Sequence, residues 1–291
     1  MANMLRNKMV QGIGLGIAIC IVVVGAFFGI KSLMGPGSLK EQLTGQKKYQ
    51  PPSSASTDSA FAFPTIFMRV VGDSVRGLVS IDPTKKIDAG TELGVQEMVN
   101  RLRVGHQTLA QNPGPRGVPN AFNLVLDKSS TYGQAMLGIY IGVNGTFQMP
   151  FLVTAEGNQH SIEPPRMHPQ FGPMGWAAWI WWLPDQRIKW VVWPDSLEGN
   201  FTFHVLPAKN GKPDIEGLRG KLRTAMDGKA HIPPPQQRLI GFWGYDSLPY
   251  ESAIQFFDVL RYPKTGEPLC SRLTLMEGEM MSPPADSVCV E

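Results

Sequence analysis

A chain of 291 residues suffices for one large domain or two small ones. Its formal charge of +3 is unevenly spread: residues 1–59 hold six Lys and Arg against two acids, whereas 60–291 hold 21 against 22. A body without basic excess lacks the footprint that neutralises phosphates, which argues against nucleic acid as a partner.

Residues 1–8 read as a short tail ahead of "MVQGIGLGIAICIVVVGAFFGI", Met9 to Ile30, a run of 22 residues without a formal charge. As a helix it spans about 33 Å, against about 30 Å for a bilayer core. The apolar region of a cleaved signal peptide is shorter, about 7–15 residues. The sequence therefore predicts one retained transmembrane helix, 9–30. Gly12 and Gly16 give it a small-xxx-small face for close helix packing, although glycine is common in membrane helices anyway. Arg6, Lys8 and the α-amine crowd the short tail. The expected topology is a cytoplasmic N-terminus with the large domain in the periplasm of a bacterial inner membrane; Lys31, just beyond the helix, works against it.

Residues 31–60, rich in Gly, Pro, Ser and Gln, read as a flexible linker, and 61–291 as an extracytoplasmic domain. "TIFMRVVGDSVRGLVSI" predicts two strands around a Gly-Asp turn. Thr91 is a candidate N-cap for a helix with Val95, Met98, Val99 and Leu102 on one face. After a Pro/Gly break come "AFNLVLD" and "QAMLGIYIGVNGTFQMPFLV", taken as strands with Asn144-Gly145 as a hairpin turn. "EGNQHSIEPPRMHPQFGPMG" reads as a long loop. "NFTFHVLP", "RLIGFWGY" and "LCSRLTLME" read as strands. Pro213 and Gly228 bracket a helix that turns Ile215, Leu218, Leu222 and Met226 inward. Ser247 is a candidate cap for another short helix, with Ile254 and Phe257 on its apolar face. No internal repeat is visible. The expected class is α+β: a mainly antiparallel, β-rich domain with about three short helices.

Six of the seven tryptophans fall within "GWAAWIWWLPDQRIKWVVWP", 175–194. Pro184 and Asp185 supply turn chemistry, so the stretch predicts a hairpin. A register pairing Trp182 with Trp190 also pairs Trp179 with Trp193, on the opposite face. Core or protein interface is the preferred role for these four; a membrane-proximal aromatic patch and a sugar-stacking platform are the alternatives.

Cys20 lies in the apolar run, which leaves Cys270 and Cys289 to close the C-terminal tail as a disulfide in an oxidising compartment. His160, Glu163 and His168 share one loop, but Pro164-Pro165 forbids the helical i, i+4 zinc arrangement. Lys264–Gly266 matches one motif of the penicillin-binding enzymes, yet no lysine follows a serine by three residues as that chemistry needs. There is no G-x-S-x-G elbow and no Walker loop. No catalytic residue, metal site or cofactor is expected. These features point to a non-enzymatic, single-pass membrane protein serving as a structural subunit of an envelope assembly, such as a secretion or conjugation machine. Its partners would be the bilayer and other envelope proteins, as a homo- or hetero-oligomer. The alternative is an anchored envelope hydrolase or glycan-binding protein.

Overall fold

A computed structural model of the chain describes residues 49–56, 63–71, 74–79, 82–111, 120–163, 176–194, 201–276 and 282–290. It is an α/β domain with one mixed sheet of twelve strands and four helices among the described residues, not a mainly antiparallel α+β domain. Six of the eleven strand pairings are parallel. No helix of the described residues is long and apolar enough to cross a membrane. The candidate span 9–30, with Gly12 and Gly16, lies outside them.

The chain runs β1 (Thr65–Val71), β2 (Ser74–Val79), β3 (Asp82–Asp88), α1 (Glu92–Gln111), β4 (Ala121–Leu126), α2 (Tyr132–Asn144), β5 (Met149–Val153) and β6 (Gln159–Glu163). It continues with β7 (Trp176–Trp182), β8 (Ile188–Val192), β9 (Phe203–Leu206), α3 (Ile215–Met226), β10 (Leu239–Gly244), α4 (Tyr250–Arg261), β11 (Arg272–Leu275) and β12 (Cys289–Val290). Both units begin with a three-strand antiparallel meander, then add two parallel strands through helical crossovers. Their strand orders are β3-β2-β1-β4-β5 and β9-β8-β7-β10-β11, joined through β6, so the fold is internally duplicated although the sequence shows no repeat. The equivalent helices α2 and α4 meet at their first turns. The Tyr132 N–H donates to the Leu248 carbonyl at 2.8 Å, and the Tyr250 N–H donates to the Ser130 carbonyl at 2.9 Å.

The class changes chiefly because of α2, where the sequence pattern predicts strands. Thr131 and Gln134 form a reciprocal capping box, each side chain accepting from the other's backbone N–H. That Thr-x-x-Gln spacing nucleates a helix. Asn144 then ends the helix and Gly145 caps it, so the Asn-Gly pair is a helix stop and not a hairpin turn. Gly138 and Gly142 let α2 lie on the sheet: a Cβ at Gly142 would come 2.2 Å from the Phe122 ring. β6 also replaces part of an expected loop, and α4 is capped by Pro249, not Ser247. The cap expected for α1 is present, the Gly94 N–H donating to Thr91 Oγ1. α3 lies where expected, with Leu218, Leu222 and Met226 buried, but its N-cap is Asp214, whose side chain accepts from the Gly217 N–H.

The helices form a row, α1 against α2, α2 against α4, α4 against α3. With one face of the sheet they enclose the main core. The other face carries two smaller clusters, one around Phe67, Val125 and Val153 beneath Tyr49, the other aromatic.

Candidate functional site

The tryptophan hairpin is β7–β8. Leu183 and Arg187 close a three-residue loop in which Gln186 takes the left-handed conformation (φ 67°). A type I turn followed by a left-handed residue makes this loop. It sets the register two residues away from the expected one, with Trp190 opposite Ile180 and Trp182 opposite Ile188. A shift of two preserves the faces. Trp182 packs on Phe256 of α4 and Trp190 stacks on His204, on the helix side. Trp193 also joins the main core, and Trp179, which packs against both that core and the aromatic cluster, meets Trp193 edge-on with ring centroids 4.7 Å apart. Trp182, Trp190 and Trp193 are each 4% exposed and Trp179 is half-buried, so these rings are occupied by the chain's own packing. Burial first, then Lys221 and Lys229, holds the His204 imidazole below its ordinary pKa.

The C-terminal segment crosses this aromatic face. Lys189, itself buried, bonds the Pro284 carbonyl and pairs with Asp286 at 2.6 Å, while Arg187 reaches the same carboxylate at 2.9 Å. β12 then pairs with β9 at the sheet edge, which fixes where Cys289 sits. Cys270 precedes β11, five strand positions away, or roughly 24 Å at about 4.8 Å per strand. A disulfide needs Cα atoms within about 4.4–6.8 Å. Both cysteines are free, which corrects the expected bridge. Burial pushes the Cys270 thiol up to about 12, so it carries no thiolate at neutral pH.

One polar cluster was not legible beforehand. Residues 49–56, within the expected linker, dock on the domain. Lys128 N–H donates to the Gln50 carbonyl, Ala155 N–H to the Pro52 carbonyl, and the Ser56 hydroxyl to the Gln159 carbonyl. At the centre Ser54 Oγ donates to Asp258 Oδ1 at 2.6 Å and lies 2.8 Å from His160 Nε2. Burial would raise the Asp258 pKa, but the bonds from His160, Ser54 and the Ala55 N–H outweigh it and hold the carboxyl below its usual range.

A serine, a histidine and an aspartate in contact invite comparison with an acyl-transfer triad. There the carboxylate takes the imidazole Nδ1–H, leaving Nε2 to serve the nucleophile. Here the hydroxyl and carboxylate share one ring nitrogen, and Nδ1 of His160 is buried with no hydrogen-bond partner among the described residues. The ring has no solvent exposure. The serine proton is committed to Asp258, so the arrangement is a fastener, tying the segment before β1 to β6 and α4. His160 also drops out of the considered loop metal set: it is buried in β6, Glu163 bonds Arg272, and His168 lies outside the described residues. Among the described residues no three His, Cys, Asp or Glu gather as metal ligands would.

The remaining candidate is the outer surface of α1 and α2. Tyr140 is 50% exposed and Val143 38%, while Met136 and Leu137 are half-buried. α2 contains no charged residue. Its counterpart α4 carries polar side chains at the equivalent positions: Gln255 is exposed, Glu251 is half-buried, and Asp258 and Arg261 are taken up by bonds to Ser54, His160 and the Ser161 carbonyl. A groove of about 320 Å³ runs between α1 and α2, with Glu92, Asn100, Arg103 and Tyr140 among its walls. The chain matches no known protein family, no curated protein and no solved structure.

Proposed function

We propose that this chain is a non-enzymatic, membrane-anchored subunit of a cell-envelope assembly. Residues 9–30 act as its single span, and the domain that follows is a periplasmic docking module. The observation that carries this reading is the outer face of α2, apolar and uncharged where the duplicated α4 is polar. Exposed apolar surface of this kind is retained where something covers it. The sugar-platform alternative draws no support from rings that are already packed inside.

Crosslinking in native membranes, followed by identification of what co-purifies, tests the reading. Other envelope proteins should be recovered, and a periplasm-dependent reporter fused after Glu291 should be active. A chain that fractionates away from the membrane and captures nothing would overturn it.

A further inference from the structure

We propose that the partner on the α1/α2 face is a second copy of this chain, paired about a two-fold axis passing near Tyr140. This names a partner for the docking surface and rests on that reading. Along the α1 side of the groove, Glu92 and Arg103 stand eleven residues apart in the sequence, about 16 Å along the helix. Neither makes an ion pair with another described residue; the one bond from Arg103, through Nε, goes to the Asn144 carbonyl. Between them the groove is uncharged, lined by Val95, Gln96, Val99 and Asn100 of α1 and by Tyr140 and Asn144 of α2.

A two-fold contact sets the same patch against itself, so the patch must be self-complementary. Here the axis brings Glu92 onto Arg103 of the partner subunit and Arg103 onto Glu92 of the partner subunit, with the uncharged residues facing each other between them. Opposite charges at the two ends of one uncharged strip satisfy each other in this antiparallel arrangement. A two-fold contact uses the patch on both copies and so closes the pair at two.

The test uses the full-length chain carrying Gly12→Leu and Gly16→Leu, so that any pairing through residues 9–30 is not read as pairing of the domain. Tyr140→Cys with a short bifunctional thiol reagent should give a product of twice 32.0 kDa that the parent, with its native cysteines, does not give. Glu92→Arg and Arg103→Glu should each raise the dimer dissociation constant by about tenfold, because each sets like charges opposite one another twice per dimer. Both changes in one chain should restore pairing, with melting temperatures confirming that every variant is folded. Single and double variants that behave alike would overturn the inference, as would a folded chain that stays monomeric at all concentrations. A Tyr140→Cys product containing a different protein would overturn the second copy as partner while leaving the assembly reading in place.

Discussion

The two duplicated units solve the same topology with different side chains. In β7–β8 the hairpin is filled with tryptophans on both faces, and α4 has a polar outer side, part of it bonded to Ser54 and Ala55. In β1–β2 the corresponding hairpin carries Ile66, Phe67 and Met68 inside and Arg69 and Arg76 toward its ends, while α2 shows an apolar surface. One unit spends its large rings on its own core; the other leaves apolar area outside. Identical strand order therefore says little about where a partner binds, because binding is decided by the residues on the helix surfaces.

The contrast is broken most severely at the hairpin ends. Trp182 and Val71 close the first strand of each unit, 4% and 43% exposed respectively. Trp182→Ala should cost about 3–5 kcal/mol in stability, and Val71→Ala less than about 0.5 kcal/mol. Chemical denaturation of both variants would settle it, and equal losses would refute the asymmetry. A second break concerns Gly142, at the inner face of α2. Gly142→Ala drives a methyl into the Phe122 ring and should destabilise by about 1–3 kcal/mol through overpacking. An unchanged denaturation midpoint would mean that α2 does not press on β4 as described.

Comparable in size is the fastener that ties residues 49–56 to the second unit. Asp258→Ala leaves the Ser54 hydroxyl and the Ala55 N–H without their acceptor, at a cost of roughly 1–3 kcal/mol. The pH dependence has a definite sign. Asp258 is held below its usual pKa in the fold, so its contribution is complete above about pH 4 and is lost as pH falls through the lowered folded value. His204 is likewise held down, so its contribution is present above about pH 6.5 and is lost in more acid solution. Stability should fall in two stages on acidification, and Asp258→Asn should diminish only the lower one, in which Asp127 and Asp286 also titrate below their usual range. The smallest expected effect sharpens the contrast from the other side: Tyr140→Ser should change the melting free energy by less than about 0.5 kcal/mol, as surface substitutions do. A large loss there would make Tyr140 a core residue.

Much of this was legible in the sequence wherever a local signal agreed with the tertiary outcome. Thr91 and Pro213 announced α1 and α3, apolar runs and a Gly-Asp turn announced β1, β2 and β4, and the Pro184-Asp185 turn announced the tryptophan hairpin. The failures share a cause. Asn144-Gly145 suits a hairpin turn and a helix stop equally well, and apolar residues around it fit either period. The Thr131-x-x-Gln134 box was the signal that could have decided between them. Once α2 is misread as strand, the parallel pairings, the duplication and the apolar outer face all disappear. The duplication is hidden for a further reason: aligning Tyr132 with Tyr250 matches little beyond Ala135 with Ala253, because packing constrains size and polarity more than identity. Ser54 was illegible because its partners lie 106 and 204 residues away.

The reciprocal bonds between Tyr132, Leu248, Tyr250 and Ser130 have a consequence for what the seam itself must supply. Two separate chains meeting there would have to hold together against dilution by the quality of that contact alone. A covalent tether changes the requirement, because a short flexible connection supplies its neighbour at an effective concentration on the order of millimolar. The seam accordingly tolerates flaws. Buried Ser130 Oγ and the Tyr250 hydroxyl have no hydrogen-bond partner among the described residues. Each flaw costs roughly 1–3 kcal/mol, a load that a free dimer at cellular dilution would bear poorly. Joining the units thus relaxes the demand on their shared boundary, and their outer helices need not match: α2 carries no charged residue, whereas α4 carries Glu251, Asp258 and Arg261.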